Sequence, residues 1–257
     1  MSRRQPTHNE KQELFQEVNG VCPMPFCKAP LSETVNSSLF NRYDVAHIYP
    51  SSPKPHEVIL LQNEVRLHSD PENLDNMIAL CKPCHGKFDN PRTVQGYRDM
   101  CALKIQLKKK NNITRKHHSV CLENEILTVI TGLSNLSQQQ LQSAGQLSHA
   151  PKKVDDKVKG DSSIGVILKD NIKSNVISYY NVIKKQFEGI DKVEPYKSEV
   201  IYSQVKTISA KLKSEGLTKA EIYNELILWI KNSTNAQDDT AIRIIASFFV
   251  QNCEALE

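Results

Sequence analysis

Two pairs of cysteines stand in the first third of this chain at spacings that suit a metal ion. Four residues, two of them proline, separate Cys22 from Cys27, and two residues separate Cys81 from Cys84. Thiolates are soft ligands, and four of them complete the tetrahedral coordination of zinc, so this pattern predicts a structural zinc site with no position left for chemistry. The alternative is four ordinary buried thiols, which the clustering into two short motifs disfavours.

Two histidines accompany these pairs. His47 lies in the segment YDVAHIYP, where apolar and polar residues alternate as on the two faces of a β-strand. His85 follows Cys84 directly, and Asp89 comes four residues later, so a helix would place both on one face. Imidazole exchanges a proton near neutral pH and also binds metals, so these residues predict acid–base or metal chemistry.

In order and type, the segments VCPMPFC, YDVAHIYP and NMIALCKPCHGKFD resemble the HNH nucleases, whose ββα-metal fold is stiffened here by a structural zinc. The resemblance covers roughly the first hundred residues. It implies that His47 is the general base that takes a proton from water, that Asn76 orients the site, and that His85 binds a divalent cation at the scissile phosphate. Mg²⁺ or Mn²⁺ is the expected cation.

Ala46 departs from the family pattern, because many members carry a metal-binding aspartate or histidine directly before the base. The cation therefore needs another ligand. Asp89 is the first candidate, since it stands one helical turn beyond His85, and a solvated helix residue or cap is the alternative. Asp44 is the second candidate, although strand alternation directs it away from His47. Without either ligand, the site would be inactive or would bind its cation weakly.

The composition is that of a globular chain, with 257 residues, 39% apolar residues and 24% charged residues. No apolar run has the length needed to cross a bilayer, and the first residues lack the apolar core of a secretory signal. We therefore expect a cytoplasmic protein with no membrane partner, whose cysteines stay reduced. Three further cysteines in helical apolar patterns are expected to be small core residues: Cys101, Cys121 and Cys253.

A basic segment lies C-terminal to the nuclease-like motifs. The net charge of the chain is only +4, but the stretch from Lys104 to His118 holds six basic residues and no acidic one. Such a segment can bind the phosphate backbone of DNA without sequence preference, and a solvated charged face is the alternative. The predicted DNA-contacting residues are Lys108, Lys109, Lys110, Arg115 and Lys116.

The elements that must position these residues are predicted from periodicity. Residues 9–19 form a helix that ends at Gly20, residues 40–50 contain the strand of His47, and a further helix begins near His85. Residues 51–75 form a long insertion whose role the sequence does not indicate. Beyond Pro91 a helix is expected to reach Lys110, and residues 119–133 are expected to form another.

Helix signals are clear in the C-terminal part. Apolar residues recur at three and four positions along four segments, which predicts a small bundle of four amphipathic helices. Thr218 and Glu221 form a capping box at the start of the third helix, and Asp238 and Asp239 mark the start of the fourth.

The predicted fold class is α+β: a small ββα-metal nuclease module with a four-cysteine zinc site, followed by a mainly α-helical bundle. Residues 1–133 are assigned to the nuclease module with trailing helices, and residues 164–257 to a helical partner-docking domain. Residues 134–163 are polar and almost free of large apolar side chains, which is typical of a linker.

The last forty or so residues resemble the C-terminal domain of effector subunits in prokaryotic ABC-three-component defence systems, of which Lamassu is one. The segment EIYNELILWIKNSTNAQDDTAIRIIASFFVQNCEALE carries this resemblance. It implies an SMC-like ABC ATPase and a third subunit as partners, which restrain the nuclease until foreign DNA is sensed. The active form is also expected to self-associate. An unrelated helical dimerisation domain is the alternative.

Together these features predict a metal-dependent DNA endonuclease that acts as an antiviral effector. One alternative is a stand-alone, McrA-like restriction endonuclease that uses its second domain to select DNA. The other is a zinc-stabilised scaffold that binds nucleic acid without cleaving it. Ala46 is consistent with this alternative, because it cannot bind the catalytic cation.

Overall fold

The computed structural model describes residues 4–147, 154, 156, 162–253, 255 and 256. The chain divides into two compact units, Met1–Asn111 and Asn112–Glu257. Among the described residues, none of the helices combines the length and the apolar composition that crossing a lipid bilayer requires.

The first unit combines short strands with helices. Its sheets are a hairpin of two strands and a separate antiparallel pair, in which His47 stands opposite Met77 and Tyr43 opposite Cys81. The elements in chain order are α1 (His8–Glu17), β1 (Ser32–Val35), β2 (Ser38–Asn41), β3 (Tyr43–His47), α2 (Pro55–Leu60), a 3₁₀ turn (Leu74–Asn76), β4 (Met77–Cys81), α3 (Lys82–Asp89) and α4 (Val94–His118), which continues past the unit boundary. Strands β3 and β4 with helix α3 form the predicted ββα unit.

Strand β4 is the centre of the first core, and each of its five residues is buried. Helices α1 and α3 both pack against it, so both faces of the strand are covered, as its apolar run MIALC requires. An ion pair between Lys104 of α4 and Glu17 of α1, with Nζ and Oε2 2.6 Å apart, is also buried in this unit. Burial raises the pKa of Glu17 and lowers that of Lys104, and the charge of each partner opposes the shift of the other.

The second unit is a helical bundle. Its described helices are α5 (Glu125–Ser134), α6 (Gln138–Ala144), α7 (Val166–Val193), α8 (Lys197–Lys213), α9 (Lys219–Thr234) and α10 (Asp239–Asn252). The predicted capping box at α9 is present, because Thr218 Oγ1 accepts from Glu221 N and Glu221 Oε2 accepts from Thr218 N. Asp238 caps α10 by accepting from the backbone N–H groups of Thr240 and Ala241.

The structure differs from the predicted layout at three points. Helix α4 continues to His118 instead of ending near Lys110. The sequence predicts that residues 119–133 belong to the nuclease module, yet the apolar stripe of α5 is buried in the core of the second unit. The unit boundary therefore precedes the predicted linker. Within that linker, α6 is a helix with its own capping box, while residues 148–153, 155 and 157–161 lie outside the described residues. Of the three cysteines expected in a core, Cys253 is buried, Cys101 is half-buried and Cys121 is exposed.

Candidate active site and metal centres

The four predicted zinc ligands come together in the first unit. Cys81 ends β4, Cys84 lies in the first turn of α3, and the loop after α1 supplies Cys22 and Cys27. All four Sγ atoms lie within 4.8 Å of one another, and the distance from Cys27 Sγ to Cys81 Sγ is 3.6 Å. Zn–S bonds of about 2.3 Å give a tetrahedron with edges of about 3.8 Å, so the donor set fits a zinc ion.

The cysteine environments differ within this cluster. The backbone N–H of Ala29 lowers the pKa of Cys27 to about 7, whereas burial raises the pKa of Cys22 and of Cys84. Zinc binds thiolates, and its charge would offset the cost of burying them. Four thiolates would fill all four positions around such an ion, so the cluster suits a structural role and not a catalytic one.

His47 ends strand β3, and its side chain is only 4% exposed. Its Nε2 lies 3.3 Å from Oε2 of Glu72, a residue of the insertion between β3 and β4. The backbone carbonyl of His47 accepts a long hydrogen bond of 3.5 Å from Nη1 of Arg92. The imidazole is thus held between the strand and the insertion.

Asn76, which ends the 3₁₀ turn before β4, is fully buried. Its Nδ2 donates to the carbonyls of Tyr49 (2.7 Å) and Pro71 (2.8 Å), and its Oδ1 accepts from Tyr49 N (2.8 Å). These bonds fix the backbone two residues beyond His47. Asn76 therefore shapes the site through the backbone and has no side-chain atom directed at the cleft described below.

His85, in the first helical turns of α3, lies between two carboxylates. Its Nδ1 is 3.3 Å from Asp44 Oδ2, and its Nε2 is 3.2 Å from Asp89 Oδ2. The hydrogen bond to Asp89, supported by that to Asp44, raises the pKa of His85 against the lowering effect of burial. Two ligands at about 2.1 Å from an octahedral cation stand about 3.0 Å apart in the cis arrangement, so the His85–Asp89 pair has a suitable spacing.

Asp44 lies on the opposite side of the ring, next to the other nitrogen. It cannot join the pair His85 Nε2 and Asp89 Oδ2 around one ion without a change of geometry. Within the part of the chain that the structure describes, the four cysteines are the only group of three or more metal-binding side chains with mutually close ligand atoms. A cation bound by His85 and Asp89 would thus need water or phosphate oxygens to complete its coordination, as Mg²⁺ commonly does.

Arg92 connects the parts of this site. Its side chain is 4% exposed, and its Nε donates to Glu57 Oε1 at 3.2 Å and its Nη1 to the carbonyl of Ile48 at 2.7 Å. The same guanidinium forms an ion pair with Asp89 and lies over the ring of Phe88 at 4.5 Å. Arg92 thereby ties the end of β3 to helices α2 and α3.

A cleft of about 390 Å³ opens beside these groups. Both His47 and Asp89 line it, so an imidazole and a carboxylate face the same space. The other lining residues are Pro50, Ser51, Ser52, Lys54, Glu57, Asn90 and Arg92. Of the predicted cation ligands, Asp89 lines the cleft, whereas His85 and Asp44 are not among its lining residues.

The basic segment of α4 is engaged within the protein. Lys108 Nζ is 2.6 Å from Asp75 Oδ1 in the first unit, and Lys116 Nζ is 3.3 Å from Glu215 Oε1 in the second. Lys109, Lys110 and Arg115 also have interaction partners. DNA phosphates would compete with these groups, so the structure does not single out this segment as a DNA-binding surface.

Four residues of the site were not predicted from the sequence: Lys54, Glu57, Glu72 and Arg92. Three of them belong to the insertion 51–75, which the sequence marks as long but gives no spacing or motif to interpret. Arg92 stands three residues after Asp89, just beyond the nuclease-like segment, and no sequence motif points to an arginine at this position. Their positions depend on how the insertion folds back onto β3.

Comparison with known families supports a two-part chain. Residues 6–94 match the model of an HNH endonuclease, and residues 113–256 match the model of C-terminal domain 11 of the ABC-three component systems. Both resemblances predicted from the sequence are confirmed, as is the fold class of a small strand and helix module followed by a mainly helical part. No curated protein and no solved structure shows a significant match to the chain.

Proposed function

Because the chain belongs to the family that carries C-terminal domain 11 of the ABC-three component systems, with an HNH endonuclease domain ahead of it, we propose that it is the DNA-cleaving effector of an antiphage complex of the Lamassu-like kind. It acts in the prokaryotic cytoplasm, where an SMC-like ABC ATPase and a third subunit bind the C-terminal domain and hold the nuclease inactive. The observation that carries the nuclease proposal is the cleft lined by both His47 and Asp89, with His85 next to Asp89.

The proposed reaction is hydrolysis of a phosphodiester. His47 takes a proton from a water molecule in the cleft, the water oxygen bonds to phosphorus, and the bond from phosphorus to the leaving oxygen breaks. A divalent cation, when bound by His85 Nε2 and Asp89 Oδ2, supplies positive charge to the phosphate and the leaving oxygen. Asp44 holds the proton on Nδ1 of His85 and so keeps Nε2 available as a ligand.

Cleavage is expected to require a divalent cation. The full chain should cut plasmid DNA in Mg²⁺ or Mn²⁺ and stop when EDTA is added briefly, while the bound zinc remains. Asp44→Asn should raise the metal concentration for half-maximal cleavage by about 10–100-fold, the usual effect of removing the partner of a metal-binding histidine. Asp99→Asn is the matched control, because Asp99 is hydrogen-bonded to Gln95 on α4 and does not line the cleft.

Plasmid cleavage followed over a metal titration measures this effect. Equal titration curves for Asp44→Asn and the parent chain would show that Asp44 does not support metal binding by His85. A parent chain that never cuts DNA in either metal would support the scaffold alternative, in which the zinc-stabilised module only binds nucleic acid.

The partner proposal rests on the domain match at residues 113–256. Co-expression of the tagged full chain with the products of its neighbouring genes should yield a stable complex that contains an SMC-like ATPase. Plasmid cleavage by the complex should be slower than by the same amount of isolated chain. If no ATPase co-purifies and the neighbours leave the cleavage rate unchanged, the stand-alone restriction nuclease is the better interpretation.

A further inference from the structure

The carboxylate of Glu72 lies beside the imidazole that is proposed to act as the base. Oε2 of Glu72 is 3.3 Å from Nε2 of His47, and the two side chains are 22% and 4% exposed. We infer that Glu72 is the positioning residue of His47: it holds the ring in one orientation and one protonation form for the nuclease reaction. This inference rests on the proposed function and adds a residue that neither the family motif nor its spacing points to.

The chemistry follows from the nitrogen that Glu72 contacts. A carboxylate can only accept a hydrogen bond, so the neutral ring of His47 carries its proton on Nε2. The lone pair that accepts the proton of water is then on Nδ1. As His47 becomes an imidazolium during the reaction, the negative charge of Glu72 stabilises it, in the manner of the aspartate beside the histidine of a serine protease.

The backbone around Glu72 is held firmly. Its N–H donates to Asp70 Oδ1 at 2.9 Å, and its carbonyl accepts from Nη2 of Arg4 at 3.1 Å. The carbonyl of the preceding Pro71 accepts from Nδ2 of Asn76 at 2.8 Å. The carboxylate therefore extends from a fixed position, which an orienting role requires.

Asn76 sets the distance between the two partners. The same side-chain amide binds Tyr49, two residues beyond His47, and Pro71, one residue before Glu72. One buried side chain thus fixes the backbone on both sides of the His47–Glu72 contact. The orienting role expected of Asn76 is supported by this geometry, and it extends to the residue that His47 contacts.

The competing interpretation is a structural role that does not involve His47, in which Glu72 supports the fold of the insertion 51–75. Its removal would then slow cleavage to the same extent whether or not His47 is present. An orienting partner acts only through His47, so its removal should have no further effect once His47 is gone. This difference defines the experiment.

Steady-state cleavage of plasmid DNA by the full chain should be compared for Glu72→Ala, Glu72→Gln and His47→Ala, alone and in combination. Glu72→Ala should lower kcat by about 100-fold, which lies within the usual contribution of general base catalysis, and leave KM unchanged within about twofold. Glu72→Gln keeps the shape and an accepting oxygen but loses the charge, so a smaller loss of about tenfold is expected. Glu64→Gln, from the same insertion and paired with Arg98, is the matched control and should cleave like the parent.

The outcomes separate this inference from the proposed function. If His47→Ala abolishes cleavage while Glu72→Ala cleaves like the parent, the inference alone is wrong. If Glu72→Ala slows the residual cleavage of His47→Ala by the same factor as in the parent, its role is structural and the inference is overturned. If His47→Ala cleaves normally, the proposed base is wrong.

A second readout does not depend on activity. Nitrogen-15 NMR of the histidine-labelled full chain, recorded at a pH where the ring of His47 is neutral, reports which ring nitrogen carries the proton. The expected spectrum shows His47 protonated on Nε2 in the parent and in the Glu64→Gln control, and a mixture of both forms in Glu72→Ala. A parent His47 protonated on Nδ1 would overturn the inference even if the chain cuts no DNA.

Discussion

The His47→Ala variant is expected to lose cleavage of DNA by about 10²–10⁴-fold, the range that a positioned general base contributes. His47 is the last residue of strand β3, and its side chain lines the cleft. Its backbone is held by pairing with Met77 of β4 and by the hydrogen bond from Arg92. Removing the ring takes away the proton acceptor but leaves the backbone hydrogen bonds of Asn76 intact. The loss should therefore appear in kcat, with binding of DNA largely preserved.

Single-turnover cleavage of supercoiled plasmid at saturating metal measures this loss, with zinc content and thermal unfolding recorded on the same samples. His8→Ala is the matched control, because His8 is an exposed residue of α1 in the same unit. Cleavage by His47→Ala at the rate of the control would show that another group is the base.

Loss of the structural zinc is expected to have the second large effect. The variant Cys84→Ser removes one of the four cysteines whose Sγ atoms lie within 4.8 Å of one another. A zinc ion bound by all four would join the loop after α1 to β4 and α3. Zinc binding contributes on the order of 10 kcal/mol in small zinc domains, comparable with the whole stability of an ordinary domain. We therefore expect the zinc-free first unit to unfold and all cleavage to stop.

Metal analysis of the purified full chain should show about one zinc ion per chain in the parent and almost none in Cys84→Ser. Circular dichroism and hydrogen exchange should show loss of structure confined to residues of the first unit. Cys121→Ser is the matched control, since this exposed thiol lies outside the cluster. A zinc-free Cys84→Ser chain with unchanged exchange in β3, β4 and α3 would mean that zinc does not support the fold.

The two cysteine pairs and the contact between His85 and Asp89 were predictable because they depend on local spacing. Two short cysteine motifs indicate zinc wherever they meet in space, and a helix necessarily places His85 and Asp89 on one face. In the regular strand β3, alternation places Asp44 and His47 on opposite faces. The sequence does not show that α3 packs on the Asp44 face of the strand, which brings Asp44 to Nδ1 of His85.

The parts that the sequence could not predict depend on tertiary folding. The contact of Glu72 with His47 joins two segments that Asn76 also connects, by binding both Tyr49 and Pro71. Helix α5 has an apolar stripe in the sequence, but periodicity cannot say which of two cores will bury it. Its hydrophobic residues join the helical bundle, so the unit boundary lies earlier than the change in composition suggested.

The proposed site requires a zinc-stiffened ββα module that holds His47 near a cation bound by His85 and Asp89. Anomalous diffraction from a crystal of the full chain soaked in manganese chloride, recorded at the zinc and manganese absorption edges, tests it most directly. We predict a zinc peak among Cys22, Cys27, Cys81 and Cys84, and a manganese peak in contact with both His85 Nε2 and Asp89 Oδ2. A manganese ion bound away from these two residues, or none in the cleft of His47, would contradict the account.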